Sequence, residues 1–254
     1  MGFDGFVVSD WGGSNDHALG VKNGSHLEMP GTGKSGMYDI IHAVENGDLE
    51  EAVLDQRLDE LLNVIFSTHQ ATEDAKGKTF DVEAHHNLAR KAAEESIVLL
   101  KNEDNILPLT NTQNINVFGW ASTNPCYGGT GSGALSDAYE TTTLLGGLED
   151  AGYKINTELT DFYKAYREDR PEVGMWAQDW TLPEPTADSY SDELINNAKE
   201  FSDTAMVVIT RVGGEGADLP TDVSKVTYTD NSENYKDFEA GEHYLQLSQT
   251  EKDM

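Results

Sequence analysis

The sequence predicts an α/β protein built on parallel strands, and three observations carry that expectation. From residue 115 onward, short apolar runs alternate with stretches of helical period, the pattern of a parallel, doubly wound sheet. Two apolar runs, Phe6-Val7-Val8 and Ala205-Met206-Val207-Val208-Ile209-Thr210, each lead into an acid near glycines, Asp10 ahead of Gly12-Gly13 and Glu215 between Gly214 and Gly216. Acids at the carboxyl ends of parallel strands are where α/β folds keep their chemistry, because loops there vary while the strands hold position. Finally, 254 residues with 37% apolar content are enough for a packed core in one large or two modest domains.

Taken in order, Phe6-Val7-Val8 reads as a buried strand that delivers Asp10 to a loop opening with Trp11, Gly12 and Gly13. A cap or turn role for Asp10 fits the spacing equally well. Met37, Ile40, Ile41 and Val44 recur at helical spacing before Asn46-Gly47, and Val53, Leu54, Leu58, Leu61, Leu62 and Ile65 form a second stripe, both expected to face a core. From about Thr68 to Asp81 the chain is polar and lacks an apolar period, which marks an interdomain linker. A helix over 84–101 should bury Ala89, Ala93, Ile97 and Leu100. His85 and His86 are neighbours on a helix, so they point to different faces and suit solvated surface better than a metal.

Residues Ile115 to Ala121 form the first strand of the second sheet, followed by the glycine-rich stretch Gly128-Gly129-Thr130-Gly131-Ser132-Gly133. Glycine loops cradle phosphates at helix N-termini, so a nucleotide-binding domain must be weighed. It fits poorly, since the glycines lie seven residues beyond the strand, match neither phosphate-loop spacing and precede no lysine. Leu144, Leu145, Leu148 and Ala151 predict a helix ended by Gly152, Lys154 to Leu159 a strand, and Leu194, Ile195 and Ala198 a helix feeding the strand at 205–210. Residues 161–190 read as an irregular insertion rich in Trp, Tyr, Pro and acids, suited to packing or to sugar stacking.

Composition narrows the partners. With 46 acids against 17 bases the formal net charge is −29, which repels phosphate backbones and anionic membrane surfaces and disfavours nucleic acid as a ligand. A neutral sugar is indifferent to that charge. The single cysteine, Cys126, cannot form an intrachain disulfide and fits a reducing, cytoplasmic compartment, although large secreted enzymes also manage without disulfides. No apolar run approaches membrane-spanning length, and Met1 leads straight into a strand rather than a signal peptide.

Four stretches, in order, resemble glycoside hydrolase family 3, the β-glucosidase and β-xylosidase family. They are Gly2-Phe3-Asp4-Gly5-Phe6-Val7-Val8-Ser9-Asp10-Trp11; Glu28-Met29-Pro30-Gly31; Ala89 to Asn102 with Leu107-Pro108-Leu109; and Gly213-Gly214-Glu215-Gly216. The resemblance implies that residues 1–67 are the last strands and helices of a (β/α)8-like barrel, 68–84 a linker, and 85–254 an incomplete α/β sandwich domain. It also implies an internal fragment of a longer enzyme, with the absent barrel portion or a second copy of the chain as protein partners.

By the same resemblance the activity is removal of terminal β-D-glycosyl residues with retention of configuration, on oligosaccharides or on aryl and alkyl β-glycosides, with no metal or organic cofactor. Such enzymes need one carboxylate to attack the anomeric carbon and one carboxylic acid to protonate the leaving oxygen. Asp10 carries over as the nucleophile and Glu215 as the acid/base, with Asp218 and Glu28 as rivals for the second role. Trp11 and Met29 fall where the family contacts substrate, Trp11 as an apolar platform or as a core tryptophan. The family usually has an acid where His26 stands, which fits His26 as a hydrogen-bonded structural residue. A carbohydrate-binding or purely structural α/β piece is the alternative.

Overall fold

A computed structural model of the chain describes residues 3, 5–110, 112–125, 127, 131–133, 141–169, 183–215, 218–225 and 237–254. Cys126, Gly128 to Thr130, and Trp176 and Trp180 of the aromatic insertion lie outside the described residues. The chain falls into two compact units, Met1–Leu99 and Leu100–Met254.

The first unit holds four helices. Helix α1 (His17–Lys22) is opened by the Asp16 carboxylate, which accepts from Leu19 N at 2.8 Å. Helix α2 (Lys34–Glu45) ends at Asn46-Gly47 as its sequence predicts, and α3 (Glu51–Asp74) follows after the buried Leu49. Helix α4 (Val82–Ser96) is capped by Asp81, which accepts from Ala84 N at 2.9 Å.

Several expectations are corrected here. The segment Phe6-Val7-Val8 forms only a parallel bridge between Val8 and Leu27, and Val7 and Val8 are exposed rather than buried. The apolar stripes of α2 and α3 fall on one face but remain partly open, with Met37, Ile41, Leu58 and Ile65 all exposed. With a single bridge beside them among the described residues, these helices have little sheet to cover. The polar tract from Thr68 onward is helical through Asp74, in keeping with the good helix formers it contains. Helix α4 stops at Ser96, because β-branched Ile97 and Val98 favour extended backbone, and Ile97 and Leu100 stand exposed.

The second unit is a parallel three-stranded sheet of order β2-β1-β3, formed by β1 (Asn114–Phe118), β2 (Lys154–Ile155) and β3 (Ala205–Val207). Ile115 lies opposite Ile155, and Val117 opposite Met206. Helix α5 (Leu144–Asp150) covers one face, where Leu145 and Leu148 pack on Ile115, Val117 and Ile155. Helices α6 (Thr157–Arg167) and α7 (Asp192–Phe201) cover the other, where Leu159, Tyr163 and Leu194 gather with Phe118, Trp120 and Ala121. Helices on both faces make this the doubly wound arrangement the alternating pattern predicts. Helix α8 (Gln249–Asp253) closes the chain with a Ser248/Glu251 capping box.

Four spans differ from expectation: the strand predicted over 115–121 ends at Phe118 and gives way to a single turn at Trp120–Ser122, the strand predicted over 205–210 ends at Val207, and two more lie between them. The strand predicted over 154–159 ends at Ile155, because the Asn156 carboxamide accepts from Leu159 N at 3.3 Å and starts α6 instead. Part of the stretch expected to be irregular, up to Arg167, is therefore helical.

The middle of β1 carries a buried polar residue. The Asn116 amide donates to Ala198 O at 2.7 Å and to Ser202 O at 3.0 Å, and its oxygen accepts from Asn156 Nδ2 at 2.9 Å. One side chain thus ties the central strand to the end of α7 and to the cap of α6. Asn116→Leu leaves three groups without this partner and should cost about 2–4 kcal/mol, whereas Ile115→Val on the opposite face should cost about 1 kcal/mol. Urea denaturation of the chain, compared at the two midpoints, checks the difference.

Candidate active site

In the first unit the candidate nucleophile sits on a loop held by a two-point backbone clamp. His26 N donates to Val7 O at 3.0 Å and Ser9 N to Leu27 O at 2.9 Å, so residues 7–9 and 26–27 run side by side. The Ser9 hydroxyl accepts from Met29 N at 2.8 Å and donates to Met29 O at 3.2 Å, which fixes Met29 beside the residue preceding Asp10. Asp10 then turns the chain: its carbonyl accepts from Gly13 N at 2.9 Å, and its carboxylate accepts from Trp11 N at 2.7 Å. Asp10 is exposed, and Trp11 is 66% exposed, so it is no core side chain of this unit.

His26 anchors the clamp from below. Its Nδ1 accepts from Val7 N at 3.0 Å, which leaves Nε2 to donate to Glu60 Oε2 at 2.7 Å. The bond from His26, followed by those from Gln56 and Arg57, holds the Glu60 carboxyl below the usual range. His26 is therefore a hydrogen-bonded structural residue joining the bridge to α3. Glu28, a rival acid/base, is bonded to His17 Nδ1 at 2.6 Å.

In the second unit Glu215 follows β3 and rests on the one-turn helix Gly131–Gly133. Ser132 N donates to Glu215 Oε2 at 2.7 Å. The Ser132 side chain and then its N–H hold the exposed Glu215 carboxyl below its ordinary range. Gly131 has φ +63°, and a Cβ there would meet the Glu215 carboxylate oxygen at 2.5 Å, so glycine is required for this approach. The Ser132 N–H that a phosphate would need is thus engaged by a carboxylate, which counts against the nucleotide alternative. Asp218 is exposed.

A second carboxylate of this unit lives in the opposite environment. Glu184 is 3% exposed beyond the end of β1, and its two oxygens accept from Trp120 N at 3.3 and 3.2 Å. Its pocket is lined by Arg211, Asp237, Tyr244 and Glu251. Burial pushes the Glu184 carboxyl up to about 8; the Trp120 N–H opposes the shift, while the charges of Glu251 and Asp237 add to it. Among the described residues, no group of three or more His, Cys, Asp or Glu side chains is placed to hold a metal ion. No helix among them is long and apolar enough to cross a membrane.

Asp10, Trp11 and Met29 are thus brought together in one unit, and Glu215 stands in the other. Sequence reading missed Ser9, whose hydroxyl closes the clamp, and Ser132, which seats Glu215. The Gly131-Ser132-Gly133 spacing was visible but pointed to no partner. The capping-box pattern Ser248-x-x-Glu251 was the available signal for the contacts at α8.

Comparison with known proteins places this arrangement. The model of the glycosyl hydrolase family 3 C-terminal domain matches residues 97–236, more than half the chain, beginning where α4 ends. A thermostable beta-glucosidase B from Acetivibrio thermocellus is 36% identical over 216 residues, covering 83% of this chain and 25% of the relative. An exo-alpha-(1->6)-L-arabinopyranosidase from Bifidobacterium longum is 36% identical over 164 residues, covering 61% of this chain and 21% of that protein. Among solved structures, beta-glucosidase 3B from Thermotoga neapolitana superposes with a TM-score of 0.70 at 31% identity, covering 87% of this chain and 31% of that one. The chain belongs to glycosyl hydrolase family 3. It spans about a quarter of the length of the curated relatives it matches.

Glu184 generates a pH prediction. A carboxyl whose folded value is raised from 4.5 to about 8 adds stability that is fully present below 4.5 and is lost as pH rises through about 8. Wild-type protein should therefore lose stability over that window relative to Glu184→Gln, which has no proton to give up. Melting temperatures of both proteins from pH 4 to pH 9 check this, and parallel curves would contradict it.

Proposed function

We propose that this chain supplies the two catalytic carboxylates of a retaining, exo-acting β-glycosidase, β-glucosidase-like, with Asp10 as nucleophile and Glu215 as acid/base. The observation that supports the proposal most is that each acid lies on the loop beyond a parallel-paired segment of a glycosyl hydrolase family 3 chain, Asp10 after the bridge at Val8 and Glu215 after β3. On this reading residues 1–67 close a barrel-type catalytic domain, 68–84 connect, and 85–254 form the sandwich domain. Because the chain spans a quarter of its relatives' length, turnover belongs to a polypeptide that also carries the remaining family sequence, and this chain alone is inactive.

The substrate is a β-linked oligosaccharide or an aryl or alkyl β-glycoside, bound with its non-reducing sugar against Trp11 and Met29. The exposed indole offers a flat apolar face suited to a sugar ring. Asp10 attacks the anomeric carbon as the glycosidic bond breaks, and Glu215 delivers a proton to the leaving oxygen. Glu215 then removes a proton from the water that releases the sugar, so each residue returns to its starting state. Ser132 holds Glu215 in the ionised form, which suits the second step. For the first, displacement of water by bound sugar must raise it. The single cysteine keeps a reducing, cytoplasmic compartment as part of this reading.

Glu215→Ala, made in a polypeptide that turns over aryl β-glucosides, tests the assignment. Alkyl glucosides, whose leaving oxygens are strongly basic, should slow by about 10²–10⁴-fold. Nitrophenyl glucosides, which depart without a proton, should retain their first step and show a burst. Equal slowing of both classes would show that Glu215 is no acid/base.

A further inference from the structure

The geometry points to Arg211, locked onto Glu251, as the residue that positions Glu215 on the Ser132 turn. Arg211 lies four residues before Glu215, just beyond β3. All five of its N–H groups are spent. Nε donates to Tyr244 O at 2.6 Å; Nη1 donates to Thr210 O at 2.9 Å and Glu251 Oε1 at 2.6 Å; Nη2 donates to Gln246 O at 2.7 Å and Glu251 Oε2 at 2.6 Å. The guanidinium also lies over the Tyr244 ring, 5.3 Å from its centroid. The Arg211 and Glu251 side chains are only 16% and 10% exposed, so little solvent competes with the paired bonds.

The partner is itself rigid. Glu251 Oε2 also accepts from Ser248 N at 2.8 Å, and Glu251 N donates to Ser248 Oγ at 3.3 Å, so the carboxylate is fixed by the start of α8 before Arg211 reaches it. The next residue, Val212, is 1% exposed. Beyond it come Gly213 and Gly214, the second held in a β-bridge, and then Glu215. The approach to Glu215 is thus anchored at 211–212, passes through two glycines and is caught again at Ser132. Residues 244–251 lie outside the span matched by the family model, yet they supply four of the five acceptor bonds.

A fork of five donors cannot be replaced by the three of an ammonium group. Arg211→Lys keeps the charge and loses the fork; Glu251→Gln keeps the shape and loses the charge. Titration of Glu215 by carbon-13 NMR of the full chain, with Leu159→Ala as a core-damaged control, reads the position of Glu215 directly. In wild type Glu215 titrates below an ordinary glutamate because Ser132 holds it. Both variants should move that titration up towards an ordinary glutamate, while Leu159→Ala lowers the melting temperature without moving it. If Arg211→Lys does not fold, Glu251→Gln decides alone.

A wild-type Glu215 titration in a folded variant, whatever its melting temperature, overturns the inference. The catalytic consequence rests on the acid/base reading of Glu215. In the turnover-competent polypeptide, Arg211→Lys should slow alkyl glucosides on the order of tenfold more than nitrophenyl glucosides. A shifted titration with no such discrimination supports the positioning role and refutes the acid/base role, so the two failures are distinguishable.

Discussion

The second unit is organised around the buried carboxamide of Asn116. It stands at the middle of the central strand with both amide hydrogens and its oxygen engaged, by two carbonyls at the end of α7 and by the amide of Asn156 at the start of α6. A buried amide is tolerated only when it is satisfied, so the strand, the cap and the helix end must be in register together. Beyond Asn116, β1 stops at Phe118 and its partner β3 at Val207. At the stop, Val208 N donates to Phe118 O at 2.9 Å, and the backbone at Gly119, with φ +94°, crowds Val208 so closely that a Cβ would clash. Trp120 lies beyond one of these strand ends and Arg211 to Glu215 beyond the other.

Two carboxylates within this one unit show how the same side chain is tuned in opposite directions. Glu184 is buried, shares a single N–H between its oxygens and faces further acids, so its charged form is disfavoured. Glu215 is exposed and bonded to Ser132, so its charged form is favoured. Burial thus favours the protonated form of Glu184, and the Ser132 bonds favour the ionised form of Glu215. On the proposed function, Glu215 needs the sugar to supply the desolvation that its own surroundings do not provide.

Alternation of apolar runs and helical stripes revealed the parallel sheet and its two-sided cover, because periodicity directly reports which faces are buried. Extents were less legible. Nothing in the apolar content of 154–159 announced that Asn156 would turn to cap a helix, and a polar composition after Thr68 did not prevent α3 from continuing. Ile97 to Leu100 are apolar yet exposed, as is all of α4 before them. At the site, Asp10 and Glu215 were visible as acids after apolar runs. Ser9, Ser132 and the Arg211–Glu251 pair were not, because each depends on a contact between residues distant in sequence.

The central claim is that Asp10 forms the covalent glycosyl-enzyme, and one measurement tests it most directly. A glucoside bearing fluorine at C2 and a good leaving group lowers the electron density at the anomeric centre, so the second step becomes slow and the intermediate accumulates. Treatment of a turnover-competent polypeptide with this reagent, followed by peptide mapping by mass spectrometry, should place one sugar on the peptide that contains Asp10. A label on any other carboxylate, or inactivation with Asp10 unmodified, would contradict the account.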